Sequence, residues 1–163
     1  VVADWRLALA RLQADPDRLV AQPWLDGTPM SLSLRCAEGR ATLLACNLQH
    51  AHAVGGELAV EGITVNAVPD AGGRFAELAD GIAAALPGLW GYVGVDLVLT
   101  PGGPVTLEID PRLRTSYCAL REALGLNVAG RLLELLRPDG HATGRPPGDG
   151  VPVRIALETP RAT

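Results

Sequence analysis

The sequence predicts an α+β domain built on a mainly antiparallel sheet flanked by helices. Three observations point there. Met30, Leu32, Leu34 and Cys36 alternate with Ser31, Ser33 and Arg35, the period of a half-buried strand. Two further apolar runs, Tyr92 to Leu99 and Val105 to Ile109, flank the turn Pro101-Gly102-Gly103-Pro104 and read as a hairpin. Segments with apolar residues at helical spacing lie before, between and after these strands. At 163 residues the chain is about one domain long.

Taken in order, Trp5, Leu9 and Leu12 make Asp4 to Gln13 helical, and Asp15-Pro16-Asp17 ends that helix. Leu19 to Leu25 is short and strand-like, and Asp26-Gly27 turns it toward the strand Met30 to Cys36. Glu38-Gly39 turns again, and Ala41 to Cys46 returns as the partner strand. Asn47 to Asn66 reads as a loop around His50, His52 and Gly55-Gly56, then a short strand near Leu58 to Thr64. Phe75, Leu78, Ala79, Ile82 and Leu86 line one face of a helix closed by Pro87-Gly88. Beyond the hairpin, helices are expected near Ser116 to Leu124 and Val128 to Arg137. Gly125 suits the first C-terminus and Asn127 the second N-cap. Asp139 to Gly150 is rich in glycine and proline, and Val151 to Leu157 is a candidate final strand.

Composition removes several classes of function. Fourteen basic against eighteen acidic residues leave a net charge of −4, without the basic stripe of a nucleic-acid binder. Uncharged runs such as Gly81 to Val95 are broken by Pro87 and glycines and fall short of a membrane span. Every basic residue is arginine, so lysine chemistry is excluded from this chain. Cys36, Cys46 and Cys118 form no C-x-x-C pattern and read as free, buried thiols of a cytoplasmic protein. Serine occurs only at 31, 33 and 116, which builds no Ser/His/Asp triad. His50 and His52 read as polar surface, His141 as solvated, and Trp5, Trp24 and Trp90 as packing residues.

The hairpin carries the chemistry. Placing Leu97, Leu99, Val105, Leu107 and Ile109 on one face makes that face wholly apolar. The other face then holds Asp96, Glu108 and Asp110, with Asp96 opposite Glu108, Leu97 opposite Leu107 and Gly94 opposite Asp110. Like charges this close repel unless a cation lies between them, and oxygen-only ligands favour magnesium or manganese. The plainer reading is an amphipathic hairpin with a solvated acidic face. Arg112, Thr115 and Ser116 beside the acidic face are the groups that hold a metal-bound phosphate.

Glu108-Ile-Asp110-Pro111-Arg112 resembles the Glu-x-Asn-Pro-Arg motif of the C-terminal half of ATP-grasp ligases, with aspartate in place of asparagine. Val20 to Gly27 is similar to that superfamily's hinge strand, and Ser31 and Ser33 to its Gly-x-x-x-Ser pattern. Leu113, Thr115, Ser116, Tyr117, Gly125, Asn127 and the pair Asn47-x-Gln49 resemble the branch of tyramine–glutamate ligases of methanofuran-type cofactor biosynthesis. The resemblance implies ATP and Mg²⁺ or Mn²⁺ as cofactors, with Asp96, Glu108 and Asp110 as metal ligands. It implies catalytic roles for Arg112 and Glu108, and nucleotide contacts from Gln22, Trp24, Leu25, Asp26 and Ser116. The reaction implied is ligation of a carboxylate to an amine or thiol through an acyl phosphate.

The superfamily's phosphate-contacting lysines and glycine-rich loop have no counterpart here. Residues 1–138 are therefore expected to be the C-terminal ATP-grasp subdomain, and 139–163 a flexible segment with a candidate last strand. The N-terminal half is expected in cis, ahead of Val1, or on another chain. Small-molecule substrates are expected, with no nucleic acid and no membrane. The alternatives are a non-catalytic nucleotide- or partner-binding module and a structural domain with an acidic surface hairpin.

Overall fold

Alternation makes β1 (Thr28–Ala37) the spine of the sheet. Met30, Leu32, Leu34 and Cys36 point to one side and are at most 1% exposed. Ser31, Ser33 and Arg35 point to the other and are buried as well. A strand buried on both faces belongs in the centre of a sheet. The computed structural model, which describes residues 4–54, 57–137 and 150–157, places it there. The remaining strands are β2 (Arg40–Val54), β3 (Glu57–Val65), β4 (Gly91–Thr100), β5 (Gly103–Asp110) and β6 (Val153–Ala156). Their order is β5-β4-β1-β2-β3-β6, and every neighbouring pair is antiparallel. The α+β architecture expected from the alternation is the one observed.

Four α-helices accompany the sheet among the described residues: α1 (Trp5–Ala14), α2 (Arg74–Ala85), α3 (Tyr117–Leu124) and α4 (Val128–Leu133). Phe75, Ala79 and Ile82 of α2 cover one face, packing on Met30, Leu32, Leu34, Val93, Val95 and Leu97. Ala119, Leu120 and Ala123 of α3, with Val128 of α4, cover part of the other, on Leu44, Ala45, Ile63, Val65 and Tyr92. Among the described residues no helix covers the rest of that second face, and the candidate site lies there. No helix among the described residues is long and apolar enough to cross a membrane.

Several expectations are corrected. Asn47 to Val54 is the second half of a fifteen-residue β2, not a loop, because β3 pairs with it from Leu48↔Thr64 to Val54↔Glu57. Leu19 to Leu25 forms no strand; a strand exists only through its ladder, and both neighbours of β1 are already taken by β2 and β4. The last helix stops at Leu133 and tightens into a 3-10 turn over Glu134–Leu136. Trp5, Trp24 and Trp90 are 69%, 57% and 51% exposed, so none is a core residue. Asp4 caps α1 by accepting from the Arg6 backbone N at 2.9 Å, yet no side chain of α1 is buried. His141 and most of the Gly/Pro-rich stretch lie outside the described residues.

Cys36 and Cys46 are buried as expected, but Cys118 is exposed on α3. Burial, with help from Asp80 and Asp70 respectively, pushes the Cys36 thiol up to about 11 and the Cys46 thiol up to about 12. Both therefore stay protonated and unreactive near neutral pH. An aromatic disulfide reagent is expected to titrate one thiol quickly in the folded chain and the other two only on unfolding. Rapid reaction of all three would contradict this packing. Above the ordinary thiol value of 9.0, the unfolded chain releases these protons before the folded one does. Stability therefore falls as pH rises from there toward 12, which urea melts across that range would record.

Candidate functional site

The hairpin of β4 and β5 pairs Asp96 with Glu108 and Gly94 with Asp110, the register that the alternation predicted. One step further it departs from expectation. A bulge between Asp96 and Leu97 sets Leu97 opposite Thr106 and leaves Leu107 as the extra residue. An inserted residue reverses the facing of the strand beyond it. Val105 and Leu107 therefore leave the expected apolar core face and are 40% and 51% exposed.

The three carboxylates do share one side, and an arginine stands among them. Arg114 donates from Nη2 to Asp96 Oδ2 and from Nη1 to Asp110 Oδ2, both at 2.6 Å, with Glu108 Oε2 at 3.7 Å. Arg112 Nη2 reaches Asp110 Oδ2 at 2.7 Å, and Gln49 Nε2 donates to Asp96 Oδ1 at 2.8 Å. Burial alone would lower the Arg114 pKa, but the hydrogen bond to Asp110 and the charge of Asp96 outweigh it and hold it above its ordinary value. Gly94 makes this seat possible: a Cβ there would stand 2.7 Å from Arg114 Cγ. The space that Gly94 leaves is taken by the arginine stem.

Beside the hairpin a cavity of about 650 Å³ opens on the uncovered sheet face. Pro23, Trp24 and Leu25 form an apolar wall, and Gln22 lies beside it. Gly27 lets this segment press against β4, since a Cβ there would come 2.5 Å from the Leu99 carbonyl oxygen. At the other end lie Asp96, Arg114, Thr115 and Ser116. Gln22, Trp24, Leu25, Asp96 and Ser116, all singled out from sequence, thus line one space. Asp26, Glu108, Asp110 and Arg112 do not line it; the Asp26 carboxylate accepts instead from Trp24 Nε1 at 3.1 Å.

Under the cavity runs a buried polar network. Asn47 Nδ2 donates to Ser33 Oγ at 3.1 Å and to Ser31 Oγ at 3.3 Å, while its Oδ1 accepts from the Asn66 backbone N at 3.1 Å. The Tyr92 hydroxyl lies 2.9 Å from both Ser33 Oγ and Ser116 Oγ. Burial raises the Tyr92 pKa, so the phenol keeps its proton as a hydrogen-bond donor. These bonds tie β1, β2, β4 and the start of α3 together and satisfy polar groups that would be costly if unpaired. The histidines are less connected: His50 Nε2 pairs with Thr64 Oγ1 at 2.7 Å, and His52 Nε2 stands 3.7 Å from Glu61 Oε1.

A family model described as the ATP-grasp domain matches residues 4–116, well over half of the chain. The chain belongs to the ATP-grasp family. Among solved structures it is similar to an ATP-grasp superfamily protein from Archaeoglobus fulgidus, at 25% identity and a TM-score of 0.55 over 84% of this chain. The L-amino acid ligase from Bacillus licheniformis matches at 19% identity and a TM-score of 0.65 over 82%. N5-carboxyaminoimidazole ribonucleotide synthetase from Thermus thermophilus matches at 17% identity and a TM-score of 0.62 over 91%. The last two likenesses show the fold. This ATP-grasp chain spans 48%, 35% and 40% of those three structures, less than half of each. No curated protein sequence matches it.

Sequence reasoning missed Arg114, the residue that organises the carboxylates. It occupies an unspecified place between Leu113 and Thr115 in the resembled motif, and its partner Asp96 is 18 residues away. The i, i+4 spacing from Asp110 was the one signal within reach.

Proposed function

We propose that this ATP-grasp chain is part of an ATP- and Mg²⁺-dependent ligase that joins a carboxylate to an amine or a thiol through an acyl phosphate. The reading rests on one observation: in a chain of this family, a single cavity joins the Pro23–Trp24–Leu25 wall to Asp96, Thr115 and Ser116. An apolar wall takes a purine face, Gln22 offers both a donor and an acceptor to its edge, and the hydroxyls at the other end suit phosphate oxygens.

The carboxylates fit a hard cation in kind, because their ligand atoms are all oxygen and a positive charge already sits between two of them. As they stand, among the described residues no three acidic, histidine or cysteine side chains are grouped to hold a metal. Asp96, Glu108 and Asp110 would hold Mg²⁺ or Mn²⁺, which would neutralise phosphate charge at that end of the cavity. Arg112 is 67% exposed and pairs with Asp110 outside the cavity lining, and it would have to turn inward from there to meet the transferring phosphoryl group or the acyl phosphate. The chain contains no lysine, so the proposal includes an N-terminal ATP-grasp half, in cis or on another chain, that supplies phosphate contacts. Leu113, Thr115, Ser116, Tyr117, Gly125 and Asn127 support the tyramine–glutamate ligase branch in particular.

The test is a map of contact. Titrating the isotope-labelled chain with Mg-ATP at millimolar concentration should shift the amide signals of Gln22 to Leu25, Asp96, Thr115 and Ser116. Shifts confined to other surfaces, or none at all, would overturn the reading. A second reading, a nucleotide-binding module without catalysis, is favoured by Arg114 standing among the carboxylates.

A further inference from the structure

Arg114 is seated rather than draped. Its side chain is 23% exposed, and those of its partners Asp96 and Asp110 are 18% and 12% exposed. Gly94 forms the floor beneath its stem. Both contacts are short, charge-assisted hydrogen bonds, one from each terminal nitrogen to a different carboxylate, so the guanidinium bridges Asp96 and Asp110. The guanidinium engages Asp96 Oδ2 and Asp110 Oδ2, and the second Asp96 oxygen is already bonded to Gln49. Three carboxylates facing two arginines leave the cluster with one negative charge in excess. A divalent cation coming to Asp96 and Asp110 would meet oxygens already in use and a positive charge at close range.

We propose that Arg114 is a resident counter-ion of the carboxylate hairpin, which a divalent cation must displace to bind there. The inference rests on the metal-site part of the functional reading above and adds its regulation. Arg114 keeps the three like charges together without metal, and its hold on Asp96 and Asp110 sets how weakly metal binds. Because Arg114 also lines the cavity, a displaced guanidinium would remain beside the phosphates of a bound nucleotide. Anything anionic there would draw it off the carboxylates and so favour the metal.

The test uses Mn²⁺ as the probe, read from the loss of its free electron paramagnetic resonance signal, without nucleotide. Arg114→Met preserves the stem over Gly94 and removes the charge, and it should bind Mn²⁺ about tenfold more tightly than the parent chain or more. Arg121→Met removes one charge from an exposed position on α3 and should bind Mn²⁺ like the parent. If Arg114→Met binds no more tightly than either, the counter-ion role is wrong. Should Arg114→Met fail to fold, Arg114→Gln removes the charge while keeping a hydrogen-bond donor beside Asp96 and Asp110, and it leaves all three carboxylates in place. Tighter Mn²⁺ binding by it supports the proposal, and unchanged or weaker binding overturns it. Tighter binding by Arg114→Met together with no Mg-ATP shifts would uphold the counter-ion and sink the nucleotide reading. Mg-ATP shifts with unaltered Mn²⁺ affinity would do the reverse.

Discussion

Glu108→Gln is expected to lower ATP-dependent ligation by about two to three orders of magnitude in the proposed ligase of which this chain is part. The substitution keeps the size of the side chain and one oxygen while removing a negative charge from the proposed metal site. Glu108 lies directly opposite Asp96, so the two carboxylates face the same side of the hairpin. Its side chain is 60% exposed and stands 3.7 Å from Arg114, which makes it the least committed of the three to the arginine. For the same reason its loss should leave the fold intact, within about 0.5 kcal/mol, as for exposed positions elsewhere. Glu57→Gln, at the exposed start of β3, is the matched control and should change neither turnover nor stability. Near-normal ligation by Glu108→Gln, with unchanged Mg²⁺ dependence, would mean that the acidic face is solvated surface and that the proposed mechanism is wrong.

The second large effect concerns completeness. The chain alone is expected to hold Mg-ATP in the millimolar range, about a thousandfold more weakly than a micromolar nucleotide site. The cavity has an apolar wall and hydroxyls, but among the residues lining it Arg114 is the sole arginine, and it is engaged with Asp96 and Asp110. Trp24 at 57%, Leu58 at 58% and Leu107 at 51% exposure line the same space, so much of its apolar surface faces solvent. A nucleotide bound there would bury less surface than one enclosed on both sides, with correspondingly less hydrophobic gain. Isothermal titration of the chain with Mg-ATP tests this. A micromolar dissociation constant without any partner would make the domain a self-sufficient nucleotide binder and remove the reason for a second half.

Short-range periodicity and turn chemistry made part of this protein legible from its residues. Period-two alternation in β1 and in the carboxylate hairpin put Asp96 across from Glu108, because successive side chains must take opposite faces. Gly125 and Asn127 marked helix boundaries because a left-handed C-cap and a side-chain N-cap are local demands; Asn127 Oδ1 accepts from the Gly130 backbone N at 3.1 Å. Gln22, Trp24, Leu25, Asp96 and Ser116 were all candidates through the motif resemblance, and they line one cavity.

Long-range contacts settled what local pattern could not. The bulge at Leu107 turned Val105 and Leu107 to the solvent side; alternation carries no mark of where one inserted residue will be accommodated. The polar run Asn47 to His52 became strand because β3 was there to pair with it, whereas the apolar Leu19 to Leu25 did not, because β1 had no free edge to offer. Arg114 reached Asp96 only because the chain, after the hairpin, turns back over Gly94. That contact joins residues far apart in sequence, and no local pattern encodes which cation three converging carboxylates will gather.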